Sequence, residues 1–168
     1  MKQGTSSGLE SKLEGYNKSL AIGQLGGLAA TYAGVTQTEF LSRYIPSVSG
    51  LASSSAGLIG LGMISNFIGD QLGFAASLYA YNKDKYKGIS GKLKFLKDGF
   101  ELGTRHLGSY LISFPLAAAA SYAAMATGIL SGAAAVIAPY LIESAVTGFG
   151  YLFSTKKYRE KTPDASPH

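Results

Sequence analysis

Between Leu107 and Ile142 the chain carries no Asp, Glu, Lys or Arg, and the same holds from Ser19 to Thr38 and from Tyr44 to Gly69. A helix in water needs a polar face, and uncharged runs of this length supply too little of one. A helix crosses the roughly 30 Å hydrocarbon core of a bilayer with about 20 mostly apolar residues. Four spans are therefore expected: Ser19 to Thr36, Ala56 to Tyr81, Gly108 to Thr127 and Leu130 to Phe153. Long runs rich in Ala and Leu, without two-residue alternation, favour helices over the strands of a membrane barrel. The expected fold class is all-α, a polytopic membrane protein of four transmembrane helices.

The basic residues orient these spans. Lys2, Lys12 and Lys18 precede the first. Lys83, Lys85, Lys87, Lys92, Lys94, Lys97 and Arg105 separate the second from the third, and Lys156, Lys157, Arg159 and Lys161 follow the fourth. Only Arg43 falls on the other side, so the positive-inside rule puts both termini in the cytoplasm of a multi-pass protein of the plasma (inner) membrane. The expected organisation is a cytoplasmic segment over 1–18, a first helical hairpin over 19–81, and a basic linker over 82–106. A second hairpin over 107–155 and a tail over 156–168 complete it. Tyr79, Tyr81 and Tyr86, with Tyr151, Phe153 and Tyr158, match an interfacial aromatic belt. The first span, with no cleavage site, reads as a retained signal anchor.

Composition removes other classes. The chain has 168 residues, 15% charged, two His and no Cys. Disordered, collagen-like and disulfide-stapled chains are excluded. No metal cluster or other cofactor is expected, and the absence of a nucleophile elbow or P-loop argues against an enzyme. The net charge of +5 sits in juxtamembrane clusters without a stacking platform. That predicts attraction to the lipid bilayer and not to nucleic acid.

Two further patterns emerge. Lys85-Tyr86-Lys87 closes the second span much as Lys157-Tyr158-Arg159 closes the fourth, and Asp70 and Glu143 fall at nearly corresponding places. The halves thus read as two in–out–in hairpins forming a pseudo-repeat. Ile45 to Gly50 reads as a turn-rich joint, and Gly128 with Ser131-Gly132 as a tight turn. Ile89, Leu93, Leu96 and Phe100 recur at helical spacing among lysines. They predict an amphipathic helix on the cytoplasmic surface, or else an extension of the third span.

Small residues four apart, including Gly23, Gly27, Gly69 and Gly73, predict close helix packing, either within one chain or between subunits of a homo-oligomer. Carboxyl groups inside a membrane span cost several kcal/mol, about 2.5–3.5 on insertion scales, and need a reason. Asp70 shares a helical face with Asn66, Gly73 and Ser77; Glu143 shares one with Tyr140 and Thr147. They read either as a polar site that binds a cationic group or a coupling proton, or as hydrogen-bonded carboxyls clamping helices. Arg43 reads as a substrate-carboxylate anchor at the outer side, or as the partner of Glu39 one turn before it. Arg105 is expected to snorkel to the headgroups, and His106 to be a packing residue.

Three stretches carry a family resemblance. Gly34-Val35-Thr36-Gln37-Thr38-Glu39-Phe40-Leu41-Ser42-Arg43, Ser113-Phe114-Pro115, and Gly148-Phe149-Gly150-Tyr151-Leu152-Phe153 followed by Lys156-Lys157 resemble the small four-span L-alanine exporter (AlaE-like) family. The chain departs from it in lacking an acid in the first span and in having Asp70. The resemblance implies ion-coupled export of a small neutral amino acid such as L-alanine, with Arg43 holding its carboxylate. The expected substrate-binding set is Arg43, Asp70 and Asn66, with Asp70 and Glu143 coupling the ion. The alternatives are a non-catalytic accessory subunit of a larger membrane complex and a lipid-linked sugar translocation protein of the GtrA type.

Overall fold

The structure, a computed structural model, describes residues 15–159, with side chains except those of 104–109 and 151–159. The expectations for Lys2, Lys12, Arg105, His106, Tyr151, Phe153, Tyr158 and the tail after 159 therefore lie outside the described residues or side chains. The described chain is all-helical: α1 (Tyr16–Leu41), α2 (Pro46–Ser53), α3 (Ser55–Asn82), α4 (Gly88–Ala126) and α5 (Gly132–Arg159). No strand occurs among the described residues.

The long helices alternate in direction. Gly23 lies opposite Asp70, Gly27 opposite Asn66 and Thr31 opposite Gly62, so α1 and α3 are antiparallel. Gln24 meets Ser144 and Glu39 meets Ala133, so α5 also runs against α1. Gly103 meets Gln71 and Phe114 meets Tyr140, which sets α4 against both α3 and α5. The most extensive contact is α1 with α3, followed by α1 with α5; α4 packs less closely on α5. The pairs α1–α3 and α4–α5 are thus unequally packed. One end of the bundle collects Lys18, Lys83, Lys85, Lys87, Lys92, Lys94 and Lys97, whereas Arg43 stands at the other.

Glycines set the α1–α3 spacing. A methyl group on Gly26 would meet the Gly69 carbonyl oxygen at 2.6 Å, and one on Gly73 would meet the Ile22 carbonyl oxygen at 3.1 Å. Backbones this close gain dispersion contacts that larger side chains would forbid. The four predicted packing glycines, Gly23, Gly27, Gly69 and Gly73, all lie on this crossing within one chain. Two apolar clusters flank it. One joins Val35, Leu58, Ile59, Ala117, Val136 and Tyr140; the other, toward the basic end, joins Leu20, Phe74, Leu78, Tyr86 and Leu102.

Beside the two apolar clusters the interior also holds polar residues, and many large apolar side chains face outward. Ser19, Thr31, Asn66, Asp70, Ser121 and Ser144 are buried, while Leu25, Ile64, Ile68, Leu72, Ile112, Leu116, Ile142 and Val146 are exposed. Contiguous exposed apolar surface of this kind marks contact with lipid or with another protein.

Two expectations change, and one choice between alternatives is decided. Among the described residues, Gly132–Gly150 of α5 alone is long and apolar enough to cross a membrane by itself. The α2–α3 pair qualifies only jointly, across a 92° bend, and Tyr110–Ala126 is apolar but short. Gly, Ser, Thr and Gln make up much of the uncharged stretch Ser19–Thr38 of α1 without making it strongly apolar. The segment 46–50, expected as a turn, starts α2: Pro46 occupies the first turn, where its missing N–H costs nothing. Ser54 then caps α3 by accepting the Gly57 N–H at 3.1 Å. Finally, of the two arrangements expected for the amphipathic stretch from Gly88, the structure has the second, because the stretch is continuous with α4 to Ala126.

Candidate functional site

The polar residues of the interior converge where α1, α3, α4 and α5 meet. Asp70, on α3, is 7% exposed and packs against Gly23 of α1, where the missing side chain leaves room for the carboxyl. One turn away Asn66 lies on Gly27, whose added methyl would meet the Asn66 Nδ2 at 3.0 Å. From α5, Glu143 stands close enough for its charge to act on Asp70. Its neighbour Ser144 donates a hydrogen bond to the Gln24 carbonyl of α1 at 3.3 Å, which holds α5 at this level. Ser113 of α4 faces Glu143 from the fourth side.

The electrostatics of this cluster are unbalanced. No Lys or Arg side chain among those described lies within ion-pair distance of Asp70 or Glu143; exposed Lys87 and Asp84 form an ion pair away from the cluster. The Tyr140 hydroxyl and one oxygen, Oε2, of Glu143 are shielded from solvent without a hydrogen-bond partner. Buried polar atoms are nearly always paired, so a group of unpaired ones about two acids is a place built for another partner. Two carboxyls, two hydroxyls and an amide suit a proton or the ammonium end of a small solute. The hydrogen-bonded clamp is the weaker reading, since no hydrogen bond joins Asp70 to another helix among the described residues.

An aromatic row walls the cluster on the α4 side. Tyr110 stands edge-on to Phe67 at 5.3 Å and leans on Phe114 at 4.8 Å, and Phe114 stands edge-on to Tyr140 at 6.4 Å. The Gln71 amide nitrogen lies 3.4 Å from the Tyr110 hydroxyl. Thr31 seals the other side: its hydroxyl donates to the Gly27 carbonyl at 2.9 Å and lies 3.3 Å from the Gly62 carbonyl of α3.

Arg43 is not part of this arrangement. It is exposed in the turn after α1, whereas Asp70 lies level with Gly23, about 27 Å back along α1 at roughly 1.5 Å per residue. A solute the size of an amino acid cannot touch both, so the expected trio of Arg43, Asp70 and Asn66 divides into a remote arginine and a buried pair. Glu39 does not pair with Arg43 either. Its carboxylate accepts the backbone N–H of Ala133, at the start of α5, where anionic groups are favoured by the helix dipole. Gly132 is needed there twice over: its φ is +53°, and a Cβ would strike the Glu39 carboxylate.

Ser113, Thr31, Ser144 and Gln71 are the members that residue-by-residue reading does not single out as site residues. Ser and Thr within apolar runs are common, and only the convergence of four helices distinguishes these. Scanned against protein-family models, curated proteins and solved structures, the chain has no match.

Proposed function

We propose that the chain is a four-span membrane protein that moves a small amino-acid-like solute, with L-alanine the first to test, coupled to an ion bound at Asp70 and Glu143. In this reading α1, α3, the apolar half of α4 and α5 cross the bilayer, and the lysine-rich end faces the cytoplasm. The observation that carries it is the pair of acids on α3 and α5, enclosed by small and hydroxylated residues with no cation beside them among the described side chains. Intramembrane acids that face a bundle interior commonly mark ion or substrate paths. The alternating helix directions, the many exposed apolar side chains and the gathering of lysines at one end support the spanning topology.

The solute's ammonium, or a proton in its place, would sit on the Asp70 carboxyl, with Asn66 and the Ser113 hydroxyl within the same shell. Occupancy by one excludes the other, which is the elementary requirement for exchange. Four helices enclose little volume, and the exposed faces of α3 and α5 offer room for a second copy, so a homo-oligomer is the expected working form.

Counterflow of labelled L-alanine and a few other small amino acids in proteoliposomes tests this reading. Saturable uptake lost in both Asp70→Asn and Glu143→Gln, but kept in Arg43→Ala, is the expected result. A folded, monodisperse sample that moves none of them would sink it and favour an accessory subunit docked through its exposed apolar faces.

A further inference from the structure

The N-terminal part of α4 has two opposed faces. Gly91, Phe95, Asp98 and Leu102 form the back, turned to the bundle. Gly91 is pressed against the Tyr86 main chain, where a Cβ would meet the carbonyl oxygen at 2.7 Å. Phe95 stands edge-on to Tyr79 and Tyr86 at 5.2 and 5.1 Å. Asp98 accepts a hydrogen bond from the Tyr86 hydroxyl at 3.1 Å, with both residues buried. The front carries Ile89, Leu93, Leu96 and Phe100, spaced four, three and four apart. All are exposed, Ile89 by 82% and Phe100 by 76%. Exposed Lys92 and Lys97 project on either side of this front.

We propose that this front face docks on the anionic headgroup surface of the bilayer, with the four apolar side chains entering the acyl boundary and Lys92 and Lys97 pairing with lipid phosphates. The inference rests on the spanning reading above. Three observations select lipid as the occupant. Phe95 and Leu102 pack beside Tyr79, Phe74 and Leu78, so this part of α4 lies at the last turns of α3, the depth at which headgroups lie. Exposed Leu111, further along α4, continues the same face into the apolar half. The flanking charges are both positive. A second copy laid parallel at this spacing would set Lys92 of one chain against Lys97 of the other, which repels; an anionic surface attracts both.

The chain has no cysteine, so single cysteines report cleanly. Leu96→Cys, carrying a polarity-sensitive fluorophore, is placed in bilayers of phosphatidylcholine alone or mixed with phosphatidylglycerol, with Ile142→Cys as the spanning control. In the anionic bilayer the Leu96 label is expected to shift to the blue and lose iodide access, with Lys92→Glu and Lys97→Glu each reversing the protection about fivefold. Equal access in both bilayers overturns the proposal. Shielding that tracks protein concentration in detergent would assign the face to a second copy and also overturn it. So would a label that stays aqueous on anionic lipid yet is shielded by polyglutamate, which would point to an acidic protein. If the Ile142 label is aqueous, the spanning reading fails; if it is lipid-buried while Leu96 stays wet, only the docking fails.

Discussion

Glu39, in the last turn of α1, completes the N-terminus of α5 by accepting the backbone N–H of Ala133. The two residues are 94 positions apart in the chain, and the bond ties the first long helix to the last. A helix start leaves several N–H groups without partners, and α5 has one of them satisfied by a carboxylate from another helix.

Replacing Glu39 with Ala should therefore cost about 0.5–2 kcal/mol, the usual range for a lost N-terminal cap. Arg43→Ala should change stability by less than about 0.5 kcal/mol, as expected for an exposed residue outside such features. Unfolding midpoints of the two purified variants in one detergent decide between this pairing and a Glu39–Arg43 ion pair. An equal loss in both would favour the ion pair.

The α1–α3 crossing should be intolerant of even one methyl group. In Gly69→Ala the new Cβ would lie 2.5 Å from the Ala30 Cβ and against the Gly26 backbone. The helices must separate, at about 1–3 kcal/mol. Gly60→Ala, whose methyl would meet nothing within 4 Å, should be neutral or stabilising by up to about 1 kcal/mol through helix propensity. Thermal unfolding of both variants checks the contrast.

Tyr86, in the turn between α3 and α4, offers a pH signature. Its burial, and then its hydrogen bond to Asp98, push the hydroxyl up from 10.0 to about 12. The fold thus favours the protonated form. This contribution is fully present below pH 10 and is lost as pH rises toward about 12, where the unfolded chain binds fewer protons than the folded one. Tyr86→Phe should flatten that alkaline loss. Below pH 10 it should cost about 1–3 kcal/mol by leaving the buried Asp98 carboxylate unpaired. A stability–pH profile of the two proteins tests both statements.

For the interior acids, Asp70→Asn preserves shape and removes the titratable group. The variant is expected to keep its unfolding midpoint and to lose solute flux, and with it any response to an imposed pH gradient. If flux and its pH response are unchanged, the carboxyl serves packing alone.

Some ends of the long helices were legible because charges and glycines mark them. The segment expected to end at Tyr81 is α3, which ends at Asn82 before Lys83. The segment expected to end at Thr127 belongs to α4, which ends at Ala126 before Gly128, whose φ is +70°, but begins at Gly88, well before the expected Gly108. The packing role of Gly23, Gly27, Gly69 and Gly73 was legible from spacing, but the partner was not, because a small-residue face looks the same whether it meets its own chain or another. Pro46 misleads for a different reason: the residue that makes turns also starts helices. The largest overstatement concerns the spans themselves. Absence of charge in Ser19–Thr38 was equated with apolarity, whereas Gly, Ser, Thr and Gln are neither charged nor strongly hydrophobic. The choice of Ala133 over Arg43 as partner of Glu39 has no local signal at all, since it depends on where α5 lies.

α1 makes the most extensive contacts of the bundle, with α3 and α5, yet it does not qualify as a membrane-crossing helix by itself. On the ribosome it emerges before either of the helices that enclose it. Its inward face therefore stays uncovered until α3 offers its glycine face and α5 supplies the Ser144 and Ala133 contacts. Synthesis stopped short of residue 132 leaves α1 without one of its two neighbours. The assembly of this protein is thus a matter of late retrieval of an early segment.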